Sequence, residues 1–109
     1  MIYKFIFDDD FTKDFKRLSK KYPSLKTDFE FLVANIENEL KTADDLGGGF
    51  KKIRISIKSK GKGKSGGARV ITYETIVNIF EQIVLFAVIY DKSEYSNVDL
   101  DVLKKNLNL

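Results

Sequence analysis

The hydrophobic period of this chain changes once, at Gly47-Gly48-Gly49, and that change restricts the folds open to it. Before the glycines, apolar residues recur at helical intervals: Phe11, Phe15, Leu18 and Tyr22, then Leu25, Phe29, Leu32, Ile36 and Leu40. At 3.6 residues per turn that spacing lines one stripe of a helix. After the glycines the period is two, with Ile53, Ile55 and Ile57 alternating with Lys52, Arg54, Ser56 and Lys58. Such a strand buries one face and wets the other. A chain of this kind lays its helical stripe on the apolar face of its own sheet, so the expected class is α+β.

The remaining boundaries follow from local chemistry. Ile2 to Phe7 is crowded with β-branched and aromatic residues and reads as a first strand. Asp8, Asp9 and Asp10 suit a helix start, where carboxylates meet free backbone N–H groups and the positive end of the dipole; a metal site is their other reading. Pro23 ends the first helix, and Ser24 is placed to cap a second that runs to about Thr42. Ser59 to Gly67 contains only Lys, Gly and Ser and reads as a mobile hairpin loop. Ala68 to Ile76 is the partner strand, and Phe80 to Tyr90, apolar at both parities, is a central one. Val98, Val102, Leu103 and Leu107 suggest a short C-terminal helix. The expected order is β-α-α-β-β-β-α. The last three strands form antiparallel hairpins against an N-terminal helical hairpin, in one domain over residues 1–109.

Composition then narrows the chemistry. Cysteine and histidine are both absent, which excludes disulfides, thiolate zinc sites and Ser–His or Cys–His catalysis. Proton transfer must use Asp, Glu, Lys, Tyr or Arg, and no metal or other cofactor is called for. No apolar run approaches the ~20 residues of a membrane span, and the N-terminus lacks the pattern of a signal peptide, so a cytoplasmic location without membrane contact is expected. The net charge of +3 hides an asymmetry. Leu46 to Tyr73 holds no Asp or Glu but carries Lys51, Lys52, Arg54, Lys58, Lys60, Lys62, Lys64 and Arg69, a local charge of +8. The rest of the chain is acidic by −5. A cationic block of that kind favours a polyanion such as a phosphate backbone; its plainer role is a solvated loop that aids solubility.

The run Gly61-Lys62-Gly63-Lys64-Ser65-Gly66-Gly67 imitates a nucleotide-binding loop, but Lys58 stands where that motif requires its first glycine, and a strand follows rather than a helix. The lysines can still touch a phosphate backbone, and Lys51, Lys58, Lys62 and Lys64 are the candidate contacts to it. A second constellation is spatial. Lys52 and Arg54 lie on the wet face of one strand, Arg69 opens the next, and Tyr90 and Lys92 close the central one. Converging on one face, these cations could bind a phosphodiester and stabilise the charge that grows at a pentavalent phosphorus, while Tyr90 offers a stacking surface or a proton carrier. The plainer role is an edge decorated with lysine against aggregation.

Three stretches resemble toxins of the RelE/ParE superfamily of type II toxin–antitoxin modules, nearest in flavour to the RelE and HigB-like members. They are Leu46-Gly47-Gly48-Gly49-Phe50-Lys51-Lys52-Ile53-Arg54-Ile55, Gly61-Lys62-Gly63-Lys64-Ser65-Gly66-Gly67-Ala68-Arg69-Val70-Ile71 and Ile89-Tyr90-Asp91-Lys92-Ser93-Glu94. The resemblance implies a microbial RNase type of fold and an mRNA endonuclease that works on the ribosome and is neutralised by a cognate antitoxin. It implies metal-independent attack of a 2′-hydroxyl on the adjacent phosphate. By the same resemblance, Arg54 and Arg69 would hold the scissile phosphate. Lys52 would accept the proton if neighbouring cations lower its pKa. Lys92 would stabilise the transition state or protonate the leaving oxygen, and Tyr90, with Tyr95 as the alternative, would be the late tyrosine. Ser93 stands where some relatives carry a second arginine, and the late histidine of others is missing. The alternatives are a ParE-like toxin that binds DNA gyrase and a non-catalytic RNA-binding domain.

Overall fold

The eleven residues Glu81–Asp91, apolar at both parities, form a strand that is covered on both sides. The computed structural model describes residues 1–95 and 97–109. In chain order its elements are β1 (Ile2–Phe7), α1 (Asp9–Lys21), α2 (Leu25–Ala34), α3 (Ile36–Thr42), β2 (Asp44–Gly47), β3 (Phe50–Ile55), a 3₁₀ turn at Lys58–Lys60, β4 (Ala68–Asn78), β5 (Glu81–Asp91) and α4 (Leu100–Asn106). The sheet order is β1-β5-β4-β3-β2. The class is α+β, as expected. Strands β2 to β5 are antiparallel, while β1 runs parallel to β5 from Ile2 opposite Glu81 to Phe7 opposite Phe86, so the sheet is mixed.

A bulge at Ala87 re-phases β5, because Ile71 faces Val88 while Thr72 faces Phe86. Phe86 and Ile89, three residues apart, therefore both reach the core beneath the helices, with Ile53, Ile55, Val70 and Val84. Phe86 is fully buried, and the rings of Phe7, Phe11 and Phe29 lie 5.1–5.7 Å from it. This aromatic cluster joins α1 and α2 to β1 and β5. On the other face α4 covers one part, where Leu103 meets Phe50, Ile71, Ala87 and Tyr90. No helix among the described residues is long and apolar enough to cross a membrane.

Several local expectations are corrected. The helix expected to run unbroken to Thr42 divides at Asn35, whose side-chain amide donates to the Phe31 carbonyl at 3.0 Å. Asparagine competes in this way with the helix ladder. Ser24 does not cap α2; its hydroxyl meets Asp28 at 2.7 Å and Ser59 at 2.9 Å instead. The Asp8 carboxylate does cap α1, accepting from the Asp10 N–H at 3.1 Å. Strand β2, which no periodicity marked, is four residues long and pairs with β3 through a turn in which Gly47, Gly48 and Gly49 all have positive φ. Only glycine adopts that backbone freely three times in succession.

Beyond Ile55 the alternation fails. Ile57 is buried, but Lys58 enters the 3₁₀ turn, and its Nζ lies 5.1 Å from the Phe31 ring on the helical side. The segment from Ser59 to Gly67, expected to be mobile, is fastened to the body through hydrogen bonds described below.

Candidate nucleic-acid interface

Two rows of side chains cross the sheet on the face turned away from the helical layer. In one, Asp44, Lys52 and Ile71 stand opposite one another on β2, β3 and β4. In the other, Arg54, Arg69 and Tyr90 stand opposite one another on β3, β4 and β5. The rows are two residues apart along β3, so Lys52 and Arg54 share a face. Lys52, Arg54 and Lys64 line one cleft of about 380 Å³ with Thr42, Ala43, Asp44 and Ile53. Arg54, Lys64 and Asp44 are exposed and Lys52 is half-buried. Asp44 is the one carboxylate in the cleft lining.

Arg69 lies behind this cleft rather than in it. It is buried, with Nη1 donating to the carbonyls of Lys64 at 2.8 Å and Ala68 at 3.1 Å, and Nη2 to that of Ser65 at 3.4 Å. Its guanidinium thus holds the loop that bears Lys64, which corrects the picture of an arginine lying open beside Arg54. Tyr90 is also buried, so its ring cannot stack on a base from solvent. Burial pushes its phenol up, and the Arg69 charge opposite pulls it down by less. Among the described residues its hydroxyl has no hydrogen-bond partner. Tyr95 packs edge-on against Tyr90 at 5.8 Å between centroids and is 56% exposed, so Tyr95 is the tyrosine available to a ligand.

The other cations separate. Lys51 points to the helical side and pairs with Glu74 at 3.1 Å. Lys58 sits over Phe31, as noted. Lys62 and Lys92 are exposed but do not line the cleft. The Lys92 N–H donates to the Gly67 carbonyl at 3.0 Å and so continues the β4–β5 pairing by one residue. Gly67 itself is dictated by packing: a Cβ there would stand 2.0 Å from the Ile55 carbonyl oxygen. Its bare backbone lets the end of β3, the start of β4 and the end of β5 meet.

The cleft's neighbours are equally ordered. Asp91 is fully buried at the end of β5 and accepts from Lys60 Nζ, from the Tyr22 hydroxyl and from the Ser93 N–H. Burial raises its carboxyl, but the hydrogen bonds from Lys60, Tyr22 and Ser93 outweigh that and hold it well below the usual carboxylate range. The Tyr22 phenol is raised, chiefly by its hydrogen bond to Asp91.

Of the residues at this candidate site, Asp44 was not singled out from the sequence, and Tyr95 only as the alternative to Tyr90. Asp44 left one signal: a hairpin turn at three glycines demands a strand before it, and that strand must face β3. Among the described residues no group of three or more His, Cys, Asp or Glu is placed to hold a metal ion. No curated protein matches the chain. The family model described as RelE toxin of RelE / RelB toxin-antitoxin system matches residues 6–108, from the end of β1 through α4, and the chain belongs to that toxin family.

Proposed function

We propose that this toxin is a ribosome-dependent mRNA endonuclease, an mRNA interferase that halts translation, and that its cleft is where the message is cut. Toxins of its family pair with a cognate antitoxin, which would neutralise it. The observation that carries the reading is the grouping of Lys52, Arg54 and Lys64 around one cleft whose only lining carboxylate, Asp44, stands opposite Lys52. Cations can bind a phosphodiester in its ground state. They favour the pentavalent transition state further, because charge accumulates there on the non-bridging oxygens.

The chemistry assigned to the cleft is a transesterification. The ribose 2′-oxygen bonds to the adjacent phosphorus as the bond from phosphorus to the 5′-oxygen breaks, leaving a 2′,3′-cyclic phosphate and a free 5′-hydroxyl. Asp44 receives the 2′-hydroxyl proton, and Lys52 supplies one to the departing 5′-oxygen. Asp44 replaces Lys52 as the proton acceptor here because it is the only carboxylate lining the cleft, and an ammonium beside it is a donor. Arg54 and Lys64 hold the phosphate. Tyr95 offers a ring to a neighbouring base. Lys62 and Lys92 flank the site as contacts to more distant phosphates.

The test is a translation extract programmed with a defined message. The wild type is expected to yield fragments that depend on ribosomes and end in 2′,3′-cyclic phosphate. Asp44→Asn is expected to slow cleavage about 100-fold or more, the usual worth of a positioned proton acceptor. Intact messages alongside full translation would overturn the proposal.

One observation favours a second reading, a non-catalytic RNA-binding module: Arg69 and Tyr90, two of the residues the family resemblance gives to catalysis, are both buried. That module would bind single-stranded RNA with a salt slope of about 0.7 per phosphate contacted and leave the message whole. A supercoiling assay separates both from a gyrase poison, since neither affects the enzyme.

A further inference from the structure

The segment from Lys58 to Gly67 is fastened at four points, although its composition alone would leave it loose. The Asp28 carboxylate accepts from the Lys58 N–H at 3.1 Å. Ser24 and Ser59 bond reciprocally, the Ser59 N–H donating to one hydroxyl at 2.8 Å and the Ser24 N–H to the other at 3.2 Å. Arg69 holds the carbonyls of Lys64 and Ser65. The fourth point is unlike the others. Lys60 carries its ammonium to the buried Asp91 at 2.5 Å, and its side chain is only 12% exposed. It also lies 5.5 Å from the centre of the Tyr22 ring, whose hydroxyl bonds the same carboxylate.

Withdrawing an ammonium and a carboxylate from water gains little net stability, because desolvation offsets the attraction between them. What such a pair does is fix geometry, since any other placement of Lys60 leaves the Asp91 charge buried without its ionic partner. Lys60 is four residues before Lys64, and Arg69 is five after it. The chain between these anchors contains Gly61 and Gly63, both at positive φ, and offers no packing of its own to hold Lys64 over the cleft.

We propose that Lys60 and Asp91, with the Tyr22 hydroxyl, are positioning residues that clamp the Lys58–Gly67 segment to the end of β5 and thereby deliver Lys64 to the Lys52–Arg54 cleft. The proposal rests on the reading of that cleft as the RNA site. It assigns these three residues no contact with RNA; their influence passes through Lys64.

Two measurements test it on the full chain. The first is amide hydrogen exchange. In Asp91→Asn and in Lys60→Met, amides from Gly61 to Gly67 are expected to exchange at least tenfold faster, while those of the β4–β5 core keep the wild-type pattern. Lys60→Met leaves Asp91 bonded to Tyr22 and Ser93, so it serves if Asp91→Asn does not fold. The second is binding of a fluorescent, uncleavable 2′-O-methyl oligonucleotide. Lys60→Met is expected to weaken binding to the same extent as Lys64→Ala and to lower the salt slope by the same amount, about 0.7 for one lost phosphate contact. The double variant is expected to be no weaker than either single one, and Lys60→Arg to restore binding. Unchanged exchange in the segment overturns the clamp, as do losses that add in the double variant while the wild type binds normally. A wild type that does not bind the oligonucleotide overturns the RNA reading itself, whatever the exchange shows.

Discussion

Arg54 and Arg69 stand directly opposite one another across β3 and β4, yet only Arg54 reaches solvent. Like charges in that relation repel at close range. The structure resolves the conflict by turning the Arg69 guanidinium onto the carbonyls of Lys64, Ala68 and Ser65, which disperse its charge into backbone dipoles. One arginine is left open to solvent in the cleft and the other builds the wall behind it.

That division makes Arg54→Ala a variant with a clean signature. It removes an exposed guanidinium from the cleft and, among the described residues, no hydrogen bond of the fold. Loss of one preorganised transition-state donor costs on the order of 10²–10³ in rate. Cleavage in a translation extract is expected to fall by that factor, while the unfolding free energy measured in urea changes by no more than about 0.5 kcal/mol, as for most surface changes. Full cleavage by Arg54→Ala would remove the residue from the site.

Arg69→Met is expected to behave differently, losing stability first and activity as a consequence. The buried Ala68 carbonyl forfeits a donor, as do the part-buried carbonyls of Lys64 and Ser65, and leaving a buried polar group without its partner costs about 1–3 kcal/mol. Denaturant unfolding measures that loss directly. Arg69→Lys is expected to recover part of it, because an ammonium reaches one of the carbonyls but not the fork of them that a guanidinium does. Wild-type stability in Arg69→Met would show that the loop does not depend on this contact.

These two residues also mark how far the sequence was legible. Alternation placed Lys52 and Arg54 on the wet face of β3, and both are there, because a period of two fixes facing whatever the partner strand does. The class and the antiparallel run from β3 to β5 followed from the same signal. Burial of Arg69 and Tyr90 did not, since it arises from what lies above the sheet. Loop carbonyls close over one, while Tyr95 and the neighbourhood of α4 close over the other, and no pattern within β4 or β5 encodes those neighbours. The same holds for Asp44, which acquires meaning only as the register partner of Lys52. A run of Lys, Gly and Ser looked mobile because composition records flexibility but not tethering. The tethers come from Ser24, Asp28 and Asp91, distant in the chain, and no local window marks them as tethers.

Gly67→Ala is expected to damage the fold and the site together. The added methyl would meet the Ile55 carbonyl at 2.0 Å, and the oxygen belongs to backbone that cannot swing aside. Separating the strands would also weaken the bond from the Lys92 N–H to the Gly67 carbonyl. Overpacking of this kind typically costs about 1–3 kcal/mol. The nearby Gly61→Ala places its Cβ in open space but at a φ of 73°, so it suffers from backbone strain alone and is expected to lose less. Thermal unfolding of the pair ranks them, and equal losses would show that the contact with Ile55 relaxes freely.

The depressed carboxyl of Asp91 makes a pH prediction whose sign is fixed. A group that binds its proton less readily folded than unfolded contributes stability above its unfolded pKa of about 3.9 and loses that contribution as pH falls. Burial opposes the effect here, and the hydrogen bonds from Lys60, Tyr22 and Ser93 produce it. Asp91→Asn removes the titration and leaves the Lys60 ammonium without its counter-charge. Breaking a buried pair by removing one partner costs about 3–5 kcal/mol, and the lower end applies because the Lys60 side chain keeps some contact with water. At pH 7 the variant is therefore expected to unfold at lower urea than the wild type. Between pH 5 and 2 the wild-type midpoint should fall more steeply, so that the two curves approach one another as acid removes from the wild type what the substitution has already taken. Other carboxylates titrate in both proteins and cancel in the difference. Curves that stay parallel through this range would mean that Asp91 is not held ionised by its neighbours.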